Sequence, residues 1–353
     1  MWAVQKNLLL IPKRDIMYKK QLQNNFEKWF HTSDCFSEET KNFILKSRND
    51  YPCYYSDLTK EYYKEYFGSL FDASISFYEQ GKPIFYLPMF LFVNSNSKLV
   101  LSTNGETVYP PVFNSDLTLS YIKKVSKKII GFILDFLKEI NGKSVVFLSN
   151  TKIFNGWEAA IIDASFKETM KYKYYIDLTL DLSEIKTCLR DSYKSLVNKS
   201  LRMFNFEVIQ NCSDELIEEF KEFHFQVSSK RTRNHQSWLI QQKQVNNGEG
   251  FIIRIQDNDN KLIGLSLFLY NQFEGLYAVG VYDRKLFDKP ISHGAQWLAI
   301  QKLKELEVKN YFVGDFHPIW QQDNITEKEQ QIENFKRGFA THIQAQPIWT
   351  VRL

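Results

Sequence analysis

Residues 251–281 read FIIRIQDNDNKLIGLSLFLYNQFEGLYAVGV, and the reading of this stretch decides the fold. β-Branched and aromatic residues crowd three runs, Phe251–Gln256, Leu262–Tyr270 and Gly275–Val281, and Asp257-Asn-Asp-Asn260 between the first two is turn chemistry. Such runs predict an antiparallel meander. The period then changes. Ala295, Leu298, Ala299, Leu303 and Leu306 mark one face of a helix over Ser292–Glu307, and Lys309–Val313 is a strand directly after it. A helix at Glu327–Gly338 and a strand through Trp349 follow.

Upstream, Leu182–Arg202 reads as one helix opened by Asp181 or Ser183. A strand at Phe206–Gln210, a helix capped by Ser213 and a helix near Ser237–Val245 come next. The first half has the same order. Phe71–Tyr78 and Pro83–Val93 predict a hairpin, Lys98–Ser102 a third strand, Ser115–Ile140 a long amphipathic helix ended by Asn141-Gly142, and Ser144–Ser149 a buried strand. The first 65 residues carry mixed helical signals, at Lys19–Phe30 and Glu38–Lys46. The expectation is α+β: two tandem domains, each a mixed, mostly antiparallel sheet with flanking helices, divided as 1–160 and 161–353 around a junction near 150–173.

At 353 residues the chain is long enough for two domains. A net charge of +4 is too small to imply DNA binding. Lysines outnumber arginines 35 to 10, so the arginines are the more informative cations, and four of the ten fall between Arg190 and Arg233. Cys35, Cys53, Cys188 and Cys212 lie far apart, which predicts neither a zinc site nor a disulfide framework. The N-terminal stretch has no cleavage-site pattern, and the run near Pro83–Val93 is about half the length a membrane span requires. The expected location is cytoplasmic, with peripheral membrane contact left open. There is no nucleophile elbow, phosphate-binding loop or metal-ligand cluster.

Within 176–342 several segments carry a likeness. Ile176-Asp-Leu-Thr-Leu-Asp-Leu182 leads into the basic helix ending at Arg202. Phe223-His-Phe-Gln-Val-Ser-Ser-Lys-Arg-Thr-Arg233 precedes His235-Gln-Ser-Trp238. Leu276-Tyr-Ala-Val-Gly-Val-Tyr-Asp283 precedes His293-Gly-Ala-Gln-Trp297, and Asn334-Phe-Lys-Arg-Gly-Phe-Ala-Thr-His342 closes the set. Together they resemble the FemAB-like (FemA/FemB/FemX-type) tandem GNAT-fold acyltransferases of bacterial surface-glycan gene clusters; the first half matches in element order alone. The resemblance implies transfer of an acyl or aminoacyl group from an anionic carrier, aminoacyl-tRNA or acyl-CoA, to an amine of a peptidoglycan-type or amino-sugar acceptor in envelope polysaccharide biosynthesis. It implies no tightly bound cofactor. Acetyl-CoA enzymes of the fold grip the pyrophosphate with small residues at a helix N-terminus. Here the matching stretch, Asp288–Ala295, has one glycine where two are expected, and Pro290 removes an N–H. A catalytically inactive module that binds a nucleotide sugar, a glycan or a partner enzyme is the alternative.

Candidate site residues follow from charge and position. Arg190, Lys194, Asn198 and Arg202 step by four and share one helix face, either an anion seat or a solvated surface. Arg231 and Arg233, before Trp238, form a dense cluster suited to an anionic ligand or to a helix end. His293 is the candidate general base, oriented by Asp283, unless it caps its own helix. Tyr282, Gln296 and Trp297 lie around them, and Asp315 with His317 either binds the acceptor amine or a sugar hydroxyl or is a loop carboxylate facing solvent. Lys336 and Arg337, before a presumed glycine cap at Gly338, are anion ligands or complements of the helix dipole.

Overall fold

The computed structural model describes residues 51–353 except 80–81, 95, 143, 150–155 and 165–166, together with Lys20 and Asn24. Cys35 and the helical signals at 19–30 and 38–46 lie outside the described residues, save for those two positions. The chain forms two compact units, Met1–Met170 with Gln346–Leu353, and Lys171–Ala345. The sequence places the division at 160/161; the structure places it at 170/171 and returns the last segment to unit 1.

In unit 1, helix α1 (Asp57–Phe67) starts where the Ser56 side chain accepts from the Thr59 N–H, and it ends at Gly68 with φ 62°. The run 71–78 is two strands rather than one, β1 (Phe71–Asp72) and β2 (Ile75–Glu79). Ser74 breaks it: its N–H donates to Asp72 Oδ1 at 2.9 Å, and its hydroxyl bonds both the carbonyl and the N–H of Met89. Opposite, the run 83–93 divides at Pro88 into β3 (Lys82–Leu87) and β4 (Phe90–Val93). With β5 (Leu99–Ser102) and β6 (Val112–Phe113), these make two three-stranded sheets, β1–β4–β5 and β2–β3–β6. Helix α2 (Leu119–Glu139) buries Ile129, Ile133 and Phe136, each contributing about 1.5–3 kcal/mol. It is followed by β7 (Ser144–Leu148) and by α3 (Gly156–Asp163), a short helix that the sequence reading does not contain.

Unit 2 begins on β8 (Lys167–Asp177). The expected helix 182–202 is two helices, α4 (Leu182–Cys188) and α5 (Asp191–Met203). Leu189 and Arg190 are extended between them, and the Arg190 N–H donates instead to the Gly338 carbonyl at 2.9 Å. Then come β9 (Asn205–Ile209), α6 (Asp214–Ser228) and α7 (His235–Asn246), the helices capped by Ser213 and Asn234. The meander is β10 (Gly250–Gln256), β11 (Leu262–Tyr270) and β12 (Glu274–Tyr282). Next are α8 (Ile291–Glu305), β13 (Asn310–Phe316), α9 (Glu327–Arg337) and β14 (His342–Arg352). Strand order is β8–β13–β12–β11–β10–β9.

Period-2 alternation on β10 separates the two faces of this sheet. Phe251, Ile253 and Ile255 join the core with α5 and α8, whereas Arg254 turns the other way and pairs with Glu219 of α6 at 2.9 Å. Gly338 has φ −65°, so it is not a left-handed cap. A Cβ there would stand 2.1 Å from the Tyr193 ring, and it is close packing that requires a glycine. Among the described residues no helix is long and apolar enough to cross a membrane.

Candidate active site

β12 and β13 run parallel but pair only at Glu274↔Asn310, Gly275↔Tyr311 and Leu276↔Phe312. Both strands continue well past that point. Each carries a bulge where the pairing stops. Leu267 opposes Val279 and Phe268 opposes Tyr277, which leaves Ala278 extra on β12. Phe312 opposes Tyr175 and Gly314 opposes Tyr174, which leaves Val313 extra on β13. Bulges bend and twist a strand, so two at one level drive the pair apart. The separation opens towards Tyr282 and Phe316.

Lys336 of α9 lies over this separation. Its Cδ and Nζ both sit 2.6 Å from where a Cβ on Gly314 would be, and Nζ is 6.0 Å from the centre of the Tyr277 ring. The amine makes no hydrogen bond or ion pair among the described residues. Burial lowers its pKa, while the charges of Asp315 and Glu333 pull the other way. Glu333, one turn earlier, is fixed by His317, whose Nδ1 is 2.9 Å from one carboxylate oxygen and whose N–H donates to the other. Asp315 pairs with Lys171 at 3.6 Å. Burial pushes its carboxyl up, but Lys171, Lys173 and Lys336 outweigh this and hold it below the ordinary range. Sequence reasoning found Asp315, His317 and Lys336 but missed Lys171, Lys173, Glu333, Tyr277 and Gly314. The alternation Lys171-Tyr-Lys173-Tyr on β8 and the Glu333–Lys336 spacing were the available signals.

Arg233 is the second feature. It stacks on Trp238, 4.8 Å from the ring centre, in the turn between α6 and α7. Only 8% of it is exposed, yet Nε and Nη1 have no hydrogen-bond partner among the described residues. His224 lies edge-on to the same Trp238, and burial, helped by Arg233, lowers its pKa to about 4. Arg231 is exposed and rests against Phe225.

Most of the remaining candidates have structural partners. His293 lies inside α8 among Tyr193, Phe335 and Phe339, at 4.5–5.9 Å between ring centres. Both ring nitrogens are closed off from solvent without a hydrogen bond among the described residues. Burial drives its pKa to about 4, with the Pro290 carbonyl opposing and the Arg190 charge assisting. A base at neutral pH works best with a pKa near 7 and reach to the substrate; in this arrangement the ring is neutral and enclosed. The structure does not bring Asp283 to it: the Asp283 carboxylate accepts from the Lys285 N–H and caps a short 3₁₀ turn.

Tyr282 bonds Ser266 and Tyr277. Gln296 accepts from Tyr311 at 2.6 Å, and Trp297 is buried with Lys186 over its ring. On the basic face, Arg190 donates to the Asn334 carbonyl and Lys194 pairs with Asp191, while Arg202 and Arg337 are exposed. Gly294 is a packing glycine. A Cβ there would be 2.5 Å from Phe206 and from the Ser200 hydroxyl.

No family model matches this sequence, and neither does any curated protein. Solved structures do resemble it. FemX superposes with a TM-score of 0.60 at 12% identity, covering 88% of this chain and 95% of its own. L-PGS from Bacillus licheniformis gives 0.56 at 13%, covering 88% and 91%. The C-terminal domain of a putative lysylphosphatidylglycerol synthetase from Agrobacterium fabrum gives 0.57 at 10%, covering 88% and 90%. The chain therefore has the FemX-like tandem GNAT fold expected from its sequence.

Proposed function

We propose that this protein transfers an acyl or aminoacyl group from an anionic carrier to a primary amine of a cell-envelope or surface-glycan precursor. The reading rests on one observation above all: an unpaired lysine amine in the separation of two parallel strands. An amine that attacks a carbonyl carbon there forms a C–N bond and pushes an electron pair onto the oxygen. Lys336 Nζ, with the backbone N–H groups of β12 that have lost their β13 partners, stabilises that oxyanion. The intermediate then collapses, the carrier's oxygen or sulfur departs with the electron pair, and the amine proton leaves to it or to water. Asp315 favours the charged form of Lys336 and so acts as its positioning residue.

Arg233, stacked on Trp238, offers a phosphate of the carrier or acceptor its Nη2, the guanidinium nitrogen that burial does not close off. An aminoacyl-tRNA donor is favoured over acyl-CoA, because Gly294 is used for packing and Pro290 has no N–H to offer a pyrophosphate. The test is single-turnover transfer from aminoacyl-tRNA or acyl-CoA mixtures to amine acceptors. Lys336→Met should lower the rate by about 10²-fold or more with the unfolding temperature unchanged. An unchanged rate refutes the role of Lys336, and tight carrier binding without turnover in the wild type indicates a binding module instead.

A further inference from the structure

Because β12 and β13 run parallel, they end at the same edge of the unit 2 sheet, and a bare apolar tip follows each. The 3₁₀ turn Arg284–Leu286 delivers Phe287, 69% exposed. The 3₁₀ turn Ile319–Asn324 carries Ile319 at 79% and Trp320 at 70%. These are the three most exposed large hydrophobic side chains among the described residues. Exposed apolar side chains gathered at one edge, unlike those scattered singly, mark an interaction site.

The charge around Phe287 is one-sided. Arg284 and Lys285 are exposed beside it, and Lys199 of α5 is close enough to Asp288 to act on its carboxyl. The acids of the turn are already engaged: Asp288 pairs with Lys289 at 2.9 Å, and Asp283 caps the turn. Arg284, Lys285, Lys289 and Lys199 against Asp283 and Asp288, four cations to two acids, leave a net charge of +2 around an aromatic tip. The tips themselves are small, one large side chain on the first and two on the second. Together they offer of the order of 400 Å², about half of the roughly 800 Å² per partner in a stable protein interface.

We infer that this edge docks on an anionic lipid bilayer. Phe287, Ile319 and Trp320 enter the interfacial layer, where Trp is favoured, and Arg284, Lys285 and Lys199 lie against the phosphate headgroups. The strand separation opens towards the same edge, so docking turns it to the membrane. The inference does not depend on the transfer reaction, and its test reads binding alone.

The full chain is sedimented with vesicles of phosphatidylcholine alone or with about 30% phosphatidylglycerol. Wild type should partition at least about tenfold better onto the anionic vesicles and release at high salt. Phe287→Ser/Ile319→Ser/Trp320→Ser should lose at least about tenfold in partitioning while melting at the wild-type temperature, since the side chains are exposed. Arg284→Glu/Lys285→Glu should lower affinity for the anionic vesicles by about 30-fold. The inference is overturned if wild type ignores anionic vesicles, or if the triple variant binds like wild type. It is also overturned if wild type is a dimer that the triple substitution dissociates without lipid, for then a second copy covers this edge.

Discussion

Replacing Arg233 by Met should make the ligand-free protein more stable. Two guanidinium donors, Nε and Nη1, are buried and unpaired, and each unmade hydrogen bond costs about 1–3 kcal/mol. The stacking on Trp238 returns about 0.5–2 kcal/mol. Met keeps most of the aliphatic packing, so the variant should gain about 1–4 kcal/mol. In a unit of this size each kcal/mol moves the midpoint by about 2–4 °C, which predicts a rise of about 2–16 °C. Thermal unfolding is measured with and without inorganic phosphate, nucleotide sugars and tRNA. Wild type should be raised by an anion that fits, and the variant should not respond. A variant that melts below wild type and still responds to the same anions would show that Arg233 is a structural cation.

Three further outcomes follow from particular contacts. Gly314→Ala should displace the flexible tail of Lys336 from the strand separation, lowering transfer by about tenfold or more in protein that is still folded; equal activity would place the amine's role elsewhere. Gly294→Ala should wedge α8 away from Ser200 and Phe206, costing about 1–3 kcal/mol by denaturant titration. His224 and His293 are held neutral, with folded pKa values of about 4 against an ordinary 6.5. Above pH 6.5 their contribution is complete. As the pH falls from 6.5 towards 4 the unfolded chain takes up protons first, and stability drops by up to about 3 kcal/mol per histidine. Asp72, held down at about 2, acts only at lower pH. Denaturant midpoints across this window should slope less in His224→Leu/His293→Leu; a flat wild-type profile would refute the assignment.

The fold was legible where one physical signal dominated. The meander, α2 and α8 show their periods plainly, and Ser213 announces its helix. What stayed hidden depended on distant partners. Nothing local says that Leu189 and Arg190 leave the helix, because the compensating acceptor is the carbonyl of Gly338. The break at Ser74 needs Met89, and the role of Gly338 needs the Tyr193 ring. The site shows the same division. Arg233 and Lys336 were readable as rare or well-placed cations, but that both lack partners is a property of the packed structure. His293 reads as catalytic from its position at a helix start, and that three aromatic rings from other elements enclose it is visible only in the packed structure.

The return of Gln346–Leu353 to unit 1 bears on how the chain assembles. Strand β7 pairs with the end of β14, Ser144 with Arg352 and Leu148 with Ile348, and Trp349 is buried in the unit 1 core. During synthesis, unit 1 thus waits for its last strand until all of unit 2 has been made. Closing that connection in a disordered chain is entropically costly, and prior collapse of unit 2 shortens the gap. The folding order should therefore invert the order of translation, with unit 2 maturing first and the exposed edge of β7 left as the segment most at risk of mispairing.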